Sequence, residues 1–150
     1  MITPVTELAS TRGRILGVDF GDRRTGLAIS DESRFLAGGI GTVSPGGIAA
    51  TVEEVARIAA ERRAVAAVVG LPRNMDGSEG SRAERCREFA LMLADAAGIP
   101  VAMTDERLTT VAASRYLNET DTRGKKRKGV IDTLSAEIIL QNTLDRLKNL

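Results

Sequence analysis

Four acidic residues stand where a folded chain would ordinarily place something apolar or small. Asp19 lies inside the run ILGVDFG (15–21), Asp105 and Glu106 close the run VAMTDE (101–106), and Asp132 follows GVI (129–131) ahead of a helix-like pattern. An ionised carboxylate in an apolar strand is costly unless it is paired or bound to a cation. The chain has no histidine and one cysteine, Cys86. That excludes Ser/His/Asp and Cys/His nucleophile systems, the usual proton shuttle near neutral pH, and multi-thiolate zinc sites. Carboxylates must therefore carry any catalysis. Three acids from three separate segments suit a pair of hard divalent cations, Mg²⁺ or Mn²⁺, the arrangement that hydrolyses phosphodiesters.

Each acid also has a purely structural alternative. Asp19 could pair with Arg23 or Arg24, although Gly17 and Gly21 on the same strand face leave room for a metal ion or a phosphate to approach. Asp105 and Glu106 are consecutive, so an extended backbone turns them to opposite faces and only one joins Asp19. Glu106 is the preferred partner and Asp105 the reserve; Asp105 or Thr109 could instead cap a following helix. Asp132 has the position of an N-cap, but it lies one helical step before Ala136 and so leans toward the body of the domain.

Strands and helices that could position these acids are legible in the pattern. RILGVDFGDRRTGLAIS (14–30) reads as a hairpin, with a third strand near LAGGIGTV. Ile48, Val52, Val55 and Ala59 mark a helix over about 46–63, and Cys86, Phe89, Leu93 and Ala97 a second over 81–97. AVAAVVG (64–70) suits a central parallel strand, and LPRNMDGSEG a loop in which Gly77, Ser78 and Gly80 form a turn or offer amides to a phosphate. LTTVAASRYLN reads as helical, ETDTRGKKRKG (119–129) as a loop, and 132–147 as a closing helix with Ala136, Leu140, Leu144 and Leu147 inward. Antiparallel strands first and crossovers later imply a three-layer α/β domain with a mixed five-stranded sheet. Residues 1–13 read as a flexible leader and 14–150 as the domain.

Formal net charge is +1 over 150 residues, yet RGKKRK (123–128) holds five of the 21 basic residues, leaving 16 basic against 20 acidic elsewhere. Concentrated charge just before Asp132 suits a polyanion's phosphate backbone. Arg123, Lys125, Lys126, Arg127 and Lys128 are the expected contacts, with Arg73 and Arg107 beside the acidic motifs able to reach a strand or to neutralise the acids. Aromatic residues make up 3% of the chain, too few for a base-stacking platform, so recognition should run through backbone and shape. No apolar run approaches the length of about 18 residues that a membrane span needs. The expected setting is cytoplasmic. Cys86 reads as a small core residue, with an intersubunit disulfide as the alternative.

GVDFGDRRTGLAISD, VVGLPRNMDGSEG, TDERLTT and GVIDTLSAEIIL, in this order and spacing, resemble the YqgF family, also called RuvX, over nearly the whole chain after Arg12. The resemblance implies a ribonuclease H-like fold and maps the family's metal-binding acids to Asp19, the Asp105 and Glu106 pair, and Asp132. Leu134, Ser135, Ala136 stands where the family usually has an Ala-Ala pair. Members are described both as resolvases of Holliday junctions and as nucleases maturing the small-subunit ribosomal RNA precursor. The implied activity is a metal-dependent endonuclease, catalysed by Asp19, Glu106 and Asp132. A junction resolvase would act as a symmetric homodimer. Two other readings stand beside it. One is a module that binds nucleic acid or a ribosome-assembly partner without cutting, and the other is an actin-like or sugar-kinase-type ATPase fragment, suggested by GVDFGDRRTG.

Overall fold

Alternating apolar and small residues build the hairpin first, as strands β2 (Arg14–Asp19) and β3 (Thr25–Ser30), paired antiparallel with Asp19 opposite Gly26. The computed structural model describes residues 1–73, 76–105 and 124–150, the stretch 124–129 by its backbone alone. Strand β4 (Ala37–Val43) continues the meander antiparallel to β3. Helix α1 (Ile48–Glu61) leads into β5 (Ala64–Leu71), and helix α2 (Ser81–Ala97) into β6 (Val101–Asp105). Gly98, in the left-handed conformation at φ 65°, ends α2 and donates its amide to Ala94, and Pro100 follows. Helix α3 (Gly124–Lys148) closes the chain.

Among the described residues the sheet has six strands, against the five expected, with a strand at Ile2–Thr3 (β1) completing the order β1-β6-β5-β2-β3-β4. The additional strand comes from the leader and runs parallel to β6. A 3₁₀ turn follows at Val5–Ser10, burying Val5 and Leu8 against the α3 side of the sheet. Arg34 fastens that turn by donating to the carbonyl oxygens of Gly13 and Leu8 at 2.7 and 2.8 Å and to Thr11 Oγ1 at 2.7 Å. Val5 and Leu8 are two apolar residues three apart in a short polar stretch, a signal too weak to separate from a loose terminus.

Two cores lie on opposite faces of the sheet. Leu16, Val18, Phe20, Ala67, Val69 and Val101 face α1 and α2. Ile15, Ala28, Ala66, Val68 and Ala102 face α3, whose Ala136, Leu140 and Leu144 are buried as the stripe predicted. Strands β2, β5 and β6 are mutually parallel, so their carboxyl ends share one edge. Outer strand β4 is capped from α3: Glu137 accepts from the Gly39 amide at 2.7 Å and Gln141 from the Ala37 amide at 2.9 Å. This satisfies edge donors that would otherwise invite another strand.

The charge run corrects one expectation. Residues 124–129 continue into α3 as helix, and Asp132 lies inside the helix, eight residues past its start, not at its cap. Lysine and arginine are good helix formers, and a single internal glycine such as Gly129 costs only about 1 kcal/mol. Residues 119–123 of the expected loop, and the expected helix LTTVAASRYLN, lie outside the described residues. Among the described residues no helix is long and apolar enough to cross a membrane.

Candidate active site

The site is built where β2 runs out beneath α3. Alternation along β2 puts Ile15, Gly17 and Asp19 on the α3 face. At Gly17 an added Cβ would lie 2.7 Å from Leu140 Cβ and 2.9 Å from the Ala136 carbonyl oxygen, so the helix rests directly on the strand. One step further along, on β3, the Asp132 carbonyl oxygen occupies the place where a Cβ on Gly26 would stand. Gly26 is also the cross-strand partner of Asp19. Asp19, Gly26 and Asp132 are therefore contiguous, brought from residues more than a hundred positions apart by a glycine that lets the helix backbone touch the sheet.

Both carboxylates are partly buried, and Asp132 has a cation beside it. Arg24 Nε donates to Asp132 Oδ2 at 2.7 Å, with 34% and 22% of the two side chains exposed. Arg24, a candidate partner for Asp19 from the sequence, pairs with Asp132. Nothing local could have revealed a pairing across 108 residues.

Asp105 is not brought to this point. It ends β6, which β5 separates from β2. It also shares its parity with Val101 and Met103, which pack on the α1/α2 side. Its carboxylate lies 4.0 Å from Arg73 Nη1, and Arg73 Nη2 lies 3.5 Å from Glu79. Glu79 in turn accepts two hydrogen bonds from Arg87, both 2.9 Å, which hold its carboxyl below the ordinary carboxylate range. Arg73 is thus engaged in an ion-pair cluster on the far face.

Glu106, Arg107 and Arg123 lie outside the described residues. Lys125, Lys126, Arg127 and Lys128 occupy the first turns of α3, leading along one helix to Asp132. Asp76 Oδ1 accepts from the amide and the hydroxyl of Ser78, at 2.9 and 2.6 Å, so that loop is a side-chain-closed turn. Cys86 is buried in the α1/α2 core, the core-residue role expected of it.

Among the described residues no three His, Cys, Asp or Glu side chains gather closely enough to hold a metal ion. What converges, Asp19 with Asp132, is an all-oxygen donor pair at a sheet's carboxyl edge, and the buried hydroxyl of Ser135 on the same helix has no hydrogen-bond partner among the described residues. Such donors fit Mg²⁺ or Mn²⁺ and do not fit a soft metal.

Comparison with known proteins decides the family. The model of RuvX, Holliday junction resolvase, matches residues 13–146. This chain belongs to the RuvX family. A relative from Bradyrhizobium sp. strain BTAi1, named "Putative pre-16S rRNA nuclease", is 43% identical over 152 residues, covering 99% of this chain and 94% of the relative. One from Cereibacter sphaeroides with the same name is 48% identical over 135 residues, covering 90% and 84%. Among solved structures, Thermus thermophilus RuvC in complex with a Holliday junction substrate superposes with a TM-score of 0.58 at 15% identity, covering 91% of this chain and 96% of that one. The fowlpox virus Holliday junction resolvase gives 0.53 at 13% identity, covering 87% and 99%. At such identities these two establish the fold of this RuvX member, which is ribonuclease H-like as the motifs implied.

Proposed function

We propose that this RuvX member is a divalent-cation-dependent endonuclease that hydrolyses phosphodiester bonds, with residues 14–150 as its nuclease domain together with the strand and 3₁₀ turn of residues 2–10 that complete its sheet and core, and the small-subunit ribosomal RNA precursor as its substrate. The observation that carries the reading is the meeting of Asp19 and Asp132 across Gly26. Asp19, Glu106 and Asp132 would hold Mg²⁺ or Mn²⁺; strand alternation, which turns Asp105 to the other face, favours Glu106 as the third ligand. When bound, the cations supply a readied water on one side of the scissile phosphate and charge stabilisation of the leaving oxygen on the other.

The chain's own residues do the rest. Arg24 neutralises Asp132 and so keeps the partly buried carboxylates compatible with folding before a cation arrives. The basic first turns of α3 and Arg107 hold the substrate backbone near the acids, a contact that is salt-sensitive and blind to sequence. Names carried by relatives at 43% and 48% identity favour the ribosomal precursor, hence a cytoplasmic role, and one active subunit suffices for it. The family description favours a second substrate, the four-way junction, for which a symmetric homodimer would deliver two cuts.

The test incubates wild type, Asp19→Asn and Asp132→Asn with the ribosomal precursor and with a four-way DNA junction, each in Mg²⁺, Mn²⁺ or EDTA. Metal-dependent cutting of the precursor, lost in both variants, is the expected result. Faster cutting of the junction would replace the substrate. Binding without cutting, indifferent to EDTA and to Asp19→Asn, would replace the nuclease with a binding module.

A further inference from the structure

Helix α3 carries two buried hydroxyls that behave differently. Thr143, 2% exposed, donates Oγ1 to the Ile139 carbonyl oxygen one turn back at 2.9 Å, the usual outlet for a hydroxyl inside a helix. The Ser135 hydroxyl, in a residue only 1% exposed, has no hydrogen-bond partner among the described residues. A buried hydroxyl left in that state costs about 1–3 kcal/mol, whereas alanine, the best helix former, would carry no such cost there. A group that weakens the fold where a smaller one would serve calls for a partner that is present only when the protein works.

Its position indicates that partner. Ser135 follows Asp132 by three residues, so the two lie on the same flank of α3 about 5–6 Å apart at Cβ. Helical Cα–Cβ bonds tilt toward the helix N-terminus, which directs the Ser135 hydroxyl back toward the turn that bears Asp132. That turn rests on Gly26, opposite Asp19, while the next turn, at Ala136, rests on Gly17. The buried hydroxyl is thus aimed along the flank of α3 that bears Asp132, where the helix rests on the sheet. The other two buried side-chain atoms without a partner among the described residues, Arg14 Nε and Arg73 Nε, belong to guanidinium groups, and neither lies on α3.

We propose that Ser135 is a positioning residue of the cation site, its hydroxyl hydrogen-bonding a water in the shell of a divalent cation held by Asp19 and Asp132. The inference rests on the functional reading above and adds to it a group outside the acidic set. Its consequence is a trade between two states. The hydroxyl is a liability in the cation-free protein and an asset in the loaded one, so removing it should raise stability without cation and lower affinity for it.

The experiment titrates wild type, Ser135→Ala and Asp19→Asn with Mn²⁺, reading free manganese by electron paramagnetic resonance, and records melting temperatures with and without the ion. Wild type should bind, Asp19→Asn should not, and Ser135→Ala should bind about three- to tenfold more weakly while melting at or above wild type without cation. Equal affinities of wild type and Ser135→Ala, with Asp19→Asn still deficient, would overturn this inference and leave the nuclease site standing. Wild-type binding that Asp19→Asn retains, or no wild-type binding, would overturn both.

Discussion

On its α1/α2 side the sheet is packed by bulk. Phe20 and Phe89 stack with ring centroids 4.4 Å apart, and Leu16, Val18, Leu27 and Leu93 fill the space around them. On the α3 side it is packed by omission. Gly17 and Gly26 present no side chain, and the backbone of α3 takes their place. Interdigitated side chains tolerate repacking, whereas a carbonyl oxygen seated on a glycine Cα leaves little freedom in the height or rotation of the helix. The difference teaches where the molecule keeps stability and where it keeps registration, since the close-seated helix is the one that delivers Asp132 to Asp19.

Substitutions on the two faces should therefore fail in different ways. Phe89→Ala is expected to cost about 3–5 kcal/mol in denaturant unfolding while the remaining folded molecules keep wild-type manganese affinity. A proportional loss of affinity would erase the distinction between the faces. Gly26→Ala places a methyl where the Asp132 carbonyl oxygen lies, so α3 must move. Displacing a catalytic group by about 1 Å can cost a factor of about 100, and cleavage by this variant should fall by that order even at temperatures where circular dichroism shows it folded.

Arginine–carboxylate pairs separate the faces more finely. Arg24→Ala frees Asp132 from a competitor for Oδ2 and should tighten manganese binding about two- to fivefold, the reach of a partly exposed pair. Unchanged affinity would mean that Arg24 does not share the oxygen that a cation uses. On the other face, Glu79 has a carboxyl held below its ordinary value, chiefly by Arg87. A lowered folded value contributes stability above the unfolded value of about 4.5, and that contribution fades as pH falls below it through the folded value. Glu79→Gln should remove this small acid-side dependence from the melting profile and leave cation binding alone.

Much of this was legible in the chain. Periodicity gave α2 its observed bounds, 81–97, and placed β2 to β6 within a residue or two, because alternation and 3.6-residue spacing are local properties. Asp19 stood out because an acid in an apolar run is locally anomalous, and Asp132 because it lies one helical step before the inward stripe at Ala136. The start of α3 did not, because Gly-Lys-Lys-Arg-Lys-Gly resembles a solvated loop although lysine and arginine favour helix. Nor did Asp132's partner or Ser135's isolation, since an ion pair across 108 residues and an unmade hydrogen bond are set only by tertiary packing. Strand β1 escaped for the same reason, as two residues carry too little pattern and the parallel partner β6 supplies the rest.

The central claim, that Asp19 and Asp132 form one cation site across Gly26, is tested most directly by amide NMR during titration with substoichiometric Mn²⁺. The account predicts that the strongest paramagnetic broadening falls together on the residues around Asp19, Gly26 and Asp132 and is absent in Asp19→Asn. Broadening centred instead on Arg73, Glu79 and Asp105, or scattered over the acidic surface, would contradict it.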